Sequence, residues 1–348
     1  PALALLRPHF YRALESDLAK RLPRPVFLGL KGVAHGFAMR ALLERMRALR
    51  PDVIHFQWAP LPAVDRWFIP ALRRIAPCVL TVHDSAPFNG NPRAGIQLAG
   101  AVAIMSQFDR LIVHTEAAVA RLQSYGIDPR KIKRLPHGPL DGTATAIARD
   151  PSTTARDPAA PVRILLFGRI KPYKGVDVLL RAAREMRRDA LAKTSIHIVG
   201  QPFMDLAPFE ATIRESNLSE HVKLEPRFVA DDELSSLLAS ADVITLPYRE
   251  IDASGVLMTA ISAGVPIVAS RVGLFAELLR DGEHGRLIEI DDHLGLARAL
   301  EQLVLDDALR QRIGANVRAL RDQIPSWDQI AELTGGLYGE LVEQRKAS

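Results

Sequence analysis

The feature that most restricts how this chain can fold is a recurring run of short, uninterrupted apolar segments set between helical patterns. VFLGL at 26–30, VIHF at 53–56, CVLTV at 78–82, LIV at 111–113 and IKRL at 132–135 form a first series, with helical patterns near 37–49 and 67–75. VRILLF at 162–167, IHIV at 196–199, VKL at 222–224, VITL at 243–246 and IVA at 267–269 form a second. Runs of this kind lack the polar alternation of a half-solvated strand, so they predict parallel strands buried on both faces by helices. Between the two series lies GTATAIARDPSTTARDPAAP at 142–161, rich in Ala, Thr, Pro and Asp and without a sustained apolar period. It reads as a linker. The expected architecture is therefore α/β, with one doubly wound, Rossmann-like domain over 1–142, a linker over 143–161 and a second such domain over 162–325. A length of 348 residues, more than one core usually serves, agrees with two domains. Ala2–Leu6 has the composition of a further short strand, complete or partial. The tail from Trp327 to Glu343 carries Ile330, Leu333, Leu337 and Leu341 at near-helical spacing. The helix they predict, within 326–348, must pack its apolar stripe on something.

Composition narrows the functional classes. A single cysteine, Cys78, excludes a disulfide framework and any cysteine-rich metal site, and reads as a buried thiol. The longest apolar stretch, Ala94–Met105, is too short to span a bilayer and contains Gln97. With no export signal in the sequence, the expected location is the cytoplasm. Charge is unevenly divided: residues 1–150 hold 21 Lys and Arg against 11 Asp and Glu, whereas the remainder holds 24 against 29. The basic first half would attract an acidic substrate or an anionic membrane surface. Arg66, Arg73 and Arg74 beside Trp67 and Phe68 are the candidate face for peripheral membrane association. No nucleic-acid-binding motif is present, so nucleic acid is not an expected partner.

In open α/β sheets ligands bind beyond the carboxyl ends of the strands, so polar residues just after an apolar run are the candidates for function. In the first half these are His55, His83, His114 and His137, the last followed by Gly138. None has the close partner spacing of a metal site, so no metal is expected. His83 and His137 are the stronger functional candidates; His55 and His114 suit hydrogen bonds at the rim of a cleft. In the second half, strand 162–167 runs into Gly168-Arg169-Ile170-Lys171-Pro172-Tyr173-Lys174-Gly175. Two glycines allow close backbone approach, and Arg169 and Lys174 supply positive charge suited to a diphosphate. Ser254-Gly255-Val256-Leu257 opens a helix that Gly264 closes, and its first amides favour an anion. Arg249, Glu250 and Asp252 lie between strand and helix, a mixed cluster that hints at sugar hydroxyls beside the phosphates.

Taken together, GRIKPYKG, IHIVGQP, the Phe228-Val229 pair, ADVITLPYRE, SGVLMTAISAGVPIVAS, RVGLFAELLRDGEHGRLIE and the Trp327 helix resemble the carboxyl-terminal domain of the GT-B family 4 retaining glycosyltransferases. VIHFQW, LTVHD, LIVHTE and LPHGP resemble the amino-terminal acceptor domain more loosely. The resemblance implies two domains facing across a cleft, with the carboxyl-terminal helix packing back on the first. It implies a nucleotide sugar as donor and a carbohydrate, lipid-linked or small-molecule acceptor, with no metal or other cofactor. It places Arg169 and Lys174 on the donor diphosphate, His83 on the sugar, and the Phe228 backbone, with Val229, beside the base. Gly168, Gly175, Ser254, Gly255 and Val256 complete the donor-binding set, while His114, His137 and Gly138 fall on the acceptor side. One departure stands out. The family usually carries two glutamates eight residues apart, for which this chain has Ile251 and Thr259. Glu250 or Asp252 is then left to hold the transferred sugar, and Thr259 has one hydroxyl to offer the ribose. The SGV form of the loop points to a variant subgroup. Sugar-nucleotide epimerases of similar fold and a non-catalytic nucleotide-sugar binder are the alternative readings.

Overall fold

The computed structural model describes residues 23–85, 94–139 and 160–347. The chain divides into two compact units, one of Pro1–Leu135 with Ala331–Ser348 and one of Pro136–Ile330. Ala2–Leu6 and nearly all of the segment read as a linker lie outside the described residues.

In the first unit the described strands are β1 (Ile54–Phe56), β2 (Cys78–Thr81), β3 (Arg110–Val113) and β4 (Ile132–Arg134), all parallel and in that spatial order. β2 is buried along its whole length, and the core around it takes in Ile69, Leu72, Ile104, Phe108 and Leu122. Cys78 opens β2 with no exposed surface, and its thiol is pushed up to about 12, mainly by burial, with Asp109 adding to the effect.

The VFLGL run at 26–30 is not a strand. It forms the first turns of a 26-residue helix, Arg24–Leu49. Pro25 sits in the first turn, where its missing N–H costs nothing, and no further proline interrupts the segment before Pro51. Val26, Leu30, Val33 and Phe37 recur three or four residues apart, a helical period that the local apolar run concealed, and they remain exposed while Met39 and Leu43 enter the core. The helical pattern near 67–75 is realised only over Ile69–Arg73, after a separate turn of helix at Pro62–Asp65. Its aromatic pair is divided: Phe68 packs against the core, whereas Trp67 is exposed with the Arg66 guanidinium 5.0 Å above its ring.

The second unit holds β5 (Val162–Phe167), β6 (Thr194–Val199), β7 (Val222–Glu225), β8 (Val243–Leu246), β9 (Ile267–Ser270) and β10 (Gly285–Ile288). All are parallel, in the order β10-β9-β8-β5-β6-β7. Strand order reverses direction beside β5, which sets the switch point of a doubly wound sheet at the carboxyl ends of β5 and β8. β10 was not among the predicted strands, because its two central residues are half-exposed and it never presents a continuous apolar run.

The tail forms a helix over Trp327–Lys346. Leu337 and Leu341 are buried against Val79, Ile112 and Leu135 of the first unit, while Leu333 stays exposed. Among the described residues no helix is long and apolar enough to cross a membrane.

Because Leu337 fills a small cluster between the helix and β2 and β3, Leu337→Ala should cost about 2–4 kcal/mol. Leu333→Ala, on the exposed side, should cost under about 0.5 kcal/mol. Urea unfolding followed by circular dichroism measures both; equal midpoints for the two variants would contradict the packing described.

Candidate active site

The loop after β5 is fixed at both ends by backbone that only glycine accepts comfortably. Gly168 has φ 106° and Gly175 φ 69°, both in the left-handed region. At Gly175 a β-carbon would also strike the Pro247 carbonyl, 2.0 Å away. Between them Ile170 pairs with Pro202, and Pro172–Lys174 makes a single 3₁₀ turn before the helix Val176–Glu185 begins. This path turns Lys174 inward until it is only 5% exposed. Its Nζ donates to the hydroxyl of Tyr248 and lies 3.9 Å from that ring's centroid. Tyr248 is itself fully buried, and burial drives its phenol well above its ordinary value, so it gives the ammonium no counter-charge. Burial, with the nearby charge of Lys171, brings Lys174 down to about 7. Arg169 behaves oppositely. It is exposed, its guanidinium 5.7 Å from the ring centroid of Phe203.

The helix Gly255–Ala263 starts beside this loop. Ser254 caps it, its side chain accepting from the Leu257 amide at 3.3 Å. A β-carbon on Gly168 would stand 3.3 Å from Val256 Cγ2 and 3.9 Å from Lys174 Nζ. Those distances bring Gly168, Lys174 and the helix start into one small region, with the positive end of the helix facing it. Thr259 is 4% exposed and donates its hydroxyl to the Gly255 carbonyl at 2.8 Å. Its one proton is thus committed to its own helix, and toward a ligand it can only accept.

Of the three charged residues before that helix, Arg249 has strong partners elsewhere. Arg249 is drawn away: it donates to Asp177 at 2.6 and 2.9 Å and to the Pro172 carbonyl at 2.8 Å, and pairs with Asp291 at 2.7 Å. It staples the loop to the helix Val176–Glu185. Glu250 is half-buried and Asp252 buried, the latter's carbonyl accepting from Leu274 at 2.9 Å. Phe228 follows the edge strand β7 with its ring 71% exposed, while Val229 packs against the core. β7 lies two strands from β5, about 10 Å at ordinary strand spacing.

In the first unit the carboxyl ends of β1, β2 and β3 bring three histidines together. His83 shares a hydrogen bond with Gln57 Oε1 at 3.2 Å, stacks on Trp58 with centroids 4.8 Å apart, and has its ring centroid 5.6 Å from that of His114. His114 donates from Nδ1 to the Leu135 carbonyl at 3.1 Å. His55 lies between Tyr338 and Thr81, and burial, with the charge of His83, holds it below its ordinary value. Gln57 and Trp58 were not among the predicted site residues, although their place immediately after β1 was the available signal. His137 and Gly138 pack with Trp327: a β-carbon at Gly138 would meet that indole at 2.7 Å, and the indole N–H donates to the Pro139 carbonyl. Gly138 therefore has a packing reason to be glycine. Among the described residues no three His, Cys, Asp or Glu side chains are placed to share a metal ion.

Comparison with known proteins covers both units of the chain. The family described as Glycosyltransferase Family 4 matches residues 4–138, and that described as Glycosyl transferases group 1 matches residues 161–306. A D-inositol 3-phosphate glycosyltransferase of Acidothermus cellulolyticus is 28% identical over 339 residues, covering 90% of this chain and 73% of that protein. One of Kineococcus radiotolerans is 30% identical over 302 residues, covering 81% and 69%. Among solved structures, Anabaena HepE in complex with UDP and glucose superposes with a TM-score of 0.72 at 19% identity, over 87% of this chain and 82% of that one. Two parallel α/β sheets, a Gly-bounded basic loop at the switch point of the second, and these matches along nearly the whole length lead to one conclusion: the chain belongs to the family 4, group 1 glycosyltransferases of GT-B fold.

Proposed function

We propose that this glycosyltransferase takes its sugar from a nucleoside diphosphate donor and passes it to an acceptor hydroxyl with retention of configuration. The observation that carries the reading is Lys174, a buried cation whose ammonium donates to the Tyr248 phenol and to no carboxylate among the described residues, in the region where Gly168 meets Val256 at the start of the helix Gly255–Ala263. A desolvated ammonium of this kind is costly until an anion arrives. The donor diphosphate is that anion, with Arg169 closing on it from the exposed side. The base lies toward Phe228 and Val229, a span of about 10 Å that suits the distance from a diphosphate to its nucleobase. HepE, whose structure holds UDP and glucose, supports this donor class.

In the proposed transfer the bond between the anomeric carbon and the diphosphate oxygen breaks while the acceptor oxygen bonds that carbon on the same face. The acceptor's proton goes to the departing phosphate oxygen, so no protein nucleophile takes part. Lys174, Arg169 and the helix amides stabilise the charge that develops on the leaving group, the work a metal performs in other enzymes. Glu250 or Asp252 holds the sugar hydroxyls, Thr259 accepts from the ribose, and His83, oriented by Gln57 and Trp58, serves the transferred sugar. The relatives named for D-inositol 3-phosphate make a phosphorylated polyol the first acceptor to try.

Four outcomes test the reading. UDP-glucose, whose diphosphate exchanges no proton near neutrality, should take up about half a proton per site at pH 7 as Lys174 becomes fully charged, and almost none at pH 5. Calorimetry in buffers of different ionisation enthalpy reads this directly; zero uptake at pH 7 removes Lys174 from the diphosphate. Lys174→Met should weaken donor binding by one to two decades, consistent with losing a charge-assisted contact of about 1.5–3 kcal/mol. The same variant should be more stable than the wild type. A lysine at 10.5 when unfolded and about 7 when folded costs stability in full below pH 7, and progressively less as the pH rises toward 10.5. Its Tm should therefore exceed the wild type's by at least about 3 °C at pH 7, and the gap should narrow at pH 10. Finally, Glu250→Gln should lower transfer more than it weakens UDP binding if Glu250 grips the sugar; an effect confined to Asp252→Asn moves the role there, and no loss from either variant counts against sugar transfer at this site.

A further inference from the structure

A second charged concavity lies at the opposite end of the first unit's strands, at the amino ends of β2, β3 and β4. It is an open groove of about 740 Å³, lined by Arg73, Arg74, Arg110, Arg130, Lys131 and Arg345 together with Asp109 and Asp128. Six cations thus face two carboxylates, an excess of four. The strands that separate it from His83 and His114 are three or four residues long, so the two places are at least about 10 Å apart through the sheet. The groove is no part of the site described above.

Most of these cations are held in place. Arg345 donates to the carbonyls of Arg73 and Arg74 at 2.8 and 2.7 Å, closing the end of the helix Ile69–Arg73. Arg110 donates to the Asp109 carbonyl and to Gln344, both at 3.1 Å. Arg73 forks onto Asp109, Arg130 onto Asp128, and Lys131 reaches the Ser106 carbonyl at 2.7 Å. Arg74 makes no side-chain hydrogen bond or ion pair with any described residue. Partial burial, with the neighbouring Arg73, keeps Lys131 below its ordinary value. A surface that only solvated its charges would spread them; here four elements distant in sequence bring them together and hold them. Ordered guanidinium forks match phosphoryl oxygens two at a time and lose little freedom on binding. The described lining contains no aromatic ring, so it offers a nucleobase nothing to stack on.

We infer that this groove is a second binding site, for a ligand carrying clustered phosphoryl groups, either a soluble polyphosphorylated compound or the phosphates of a lipid surface. An excess of four charges fits two phosphate monoesters at about −1.5 to −2 each.

Inorganic tripolyphosphate is the soluble probe, and phosphatidylcholine vesicles doped with phosphatidic acid are the lipid probe. Tripolyphosphate should bind the wild-type chain at low salt and should still bind Lys174→Met, in which the donor loop is disabled. Arg74→Glu, which disturbs no internal bond, should weaken it by at least about tenfold, and adding Arg110→Gln should weaken it further. UDP binding should stay unchanged in both groove variants. Sedimentation with the doped vesicles that Arg74→Glu abolishes identifies a lipid source, and tripolyphosphate binding without sedimentation identifies a soluble one. The inference is overturned if neither probe binds the wild-type chain, if Arg74→Glu binds as tightly as the wild type, or if Lys174→Met alone removes the binding.

Discussion

The second unit is organised around keeping one positive charge out of water. Lys174 could have reached solvent, as lysines ordinarily do, but the 3₁₀ turn before it and the close passage of Gly175 beneath Pro247 leave its chain only an inward path. Inside it finds a phenol and a ring face rather than a carboxylate. The unit therefore carries the cost of a buried ammonium without a counter-charge in its hydrogen bond, and the surrounding structure has to be strong enough to hold it.

That strength comes from the backbone and from Arg249. β5 lies at the centre of six parallel strands with neighbours on both sides, so the loop leaves a rigid base. Arg249 ties the segment after β8 to Asp177, Asp291 and the Pro172 carbonyl, which fixes the loop of β5 against the helix that begins at Gly255. The cost of burying one ammonium is thus borne by elements spread through the unit rather than by the loop alone.

Much of this was legible in the sequence. The strands of the second unit showed themselves because strands buried on both faces have no polar alternation to confuse them, and VRILLF and VITL mark β5 and β8 at their observed limits. The Ser254 cap and the Gly264 stop were equally plain. VFLGL misled because five apolar residues fit a strand or two helical turns alike, and only the longer period through Phe37 decides between them. β10 hid because half of it faces outward. At the candidate site, residue type and position marked out Lys174 but not its burial, and Arg249 stood out beside Glu250 and Asp252 because its partners Asp177 and Asp291 lie far away along the chain. The groove of the first unit was visible only in part: Arg73 and Arg74 stood out as a basic pair, but Arg110, Arg130 and Arg345 join them only after folding.

Cys78 gives the first unit a reporter of its own. It is the only thiol in the chain, stands at the start of the central strand β2 with no exposed surface, and is held protonated by burial to about pH 12. Such a sulfur is inert to alkylating and disulfide reagents while the strand is in place, because the thiolate is the reacting form. The rate at which a thiol reagent consumes it therefore follows opening of the first unit's core and is blind to events confined to the second. The stability of one half of this two-unit enzyme can thus be followed by a chemical clock already present in its sequence, with no label added and no change to the second unit.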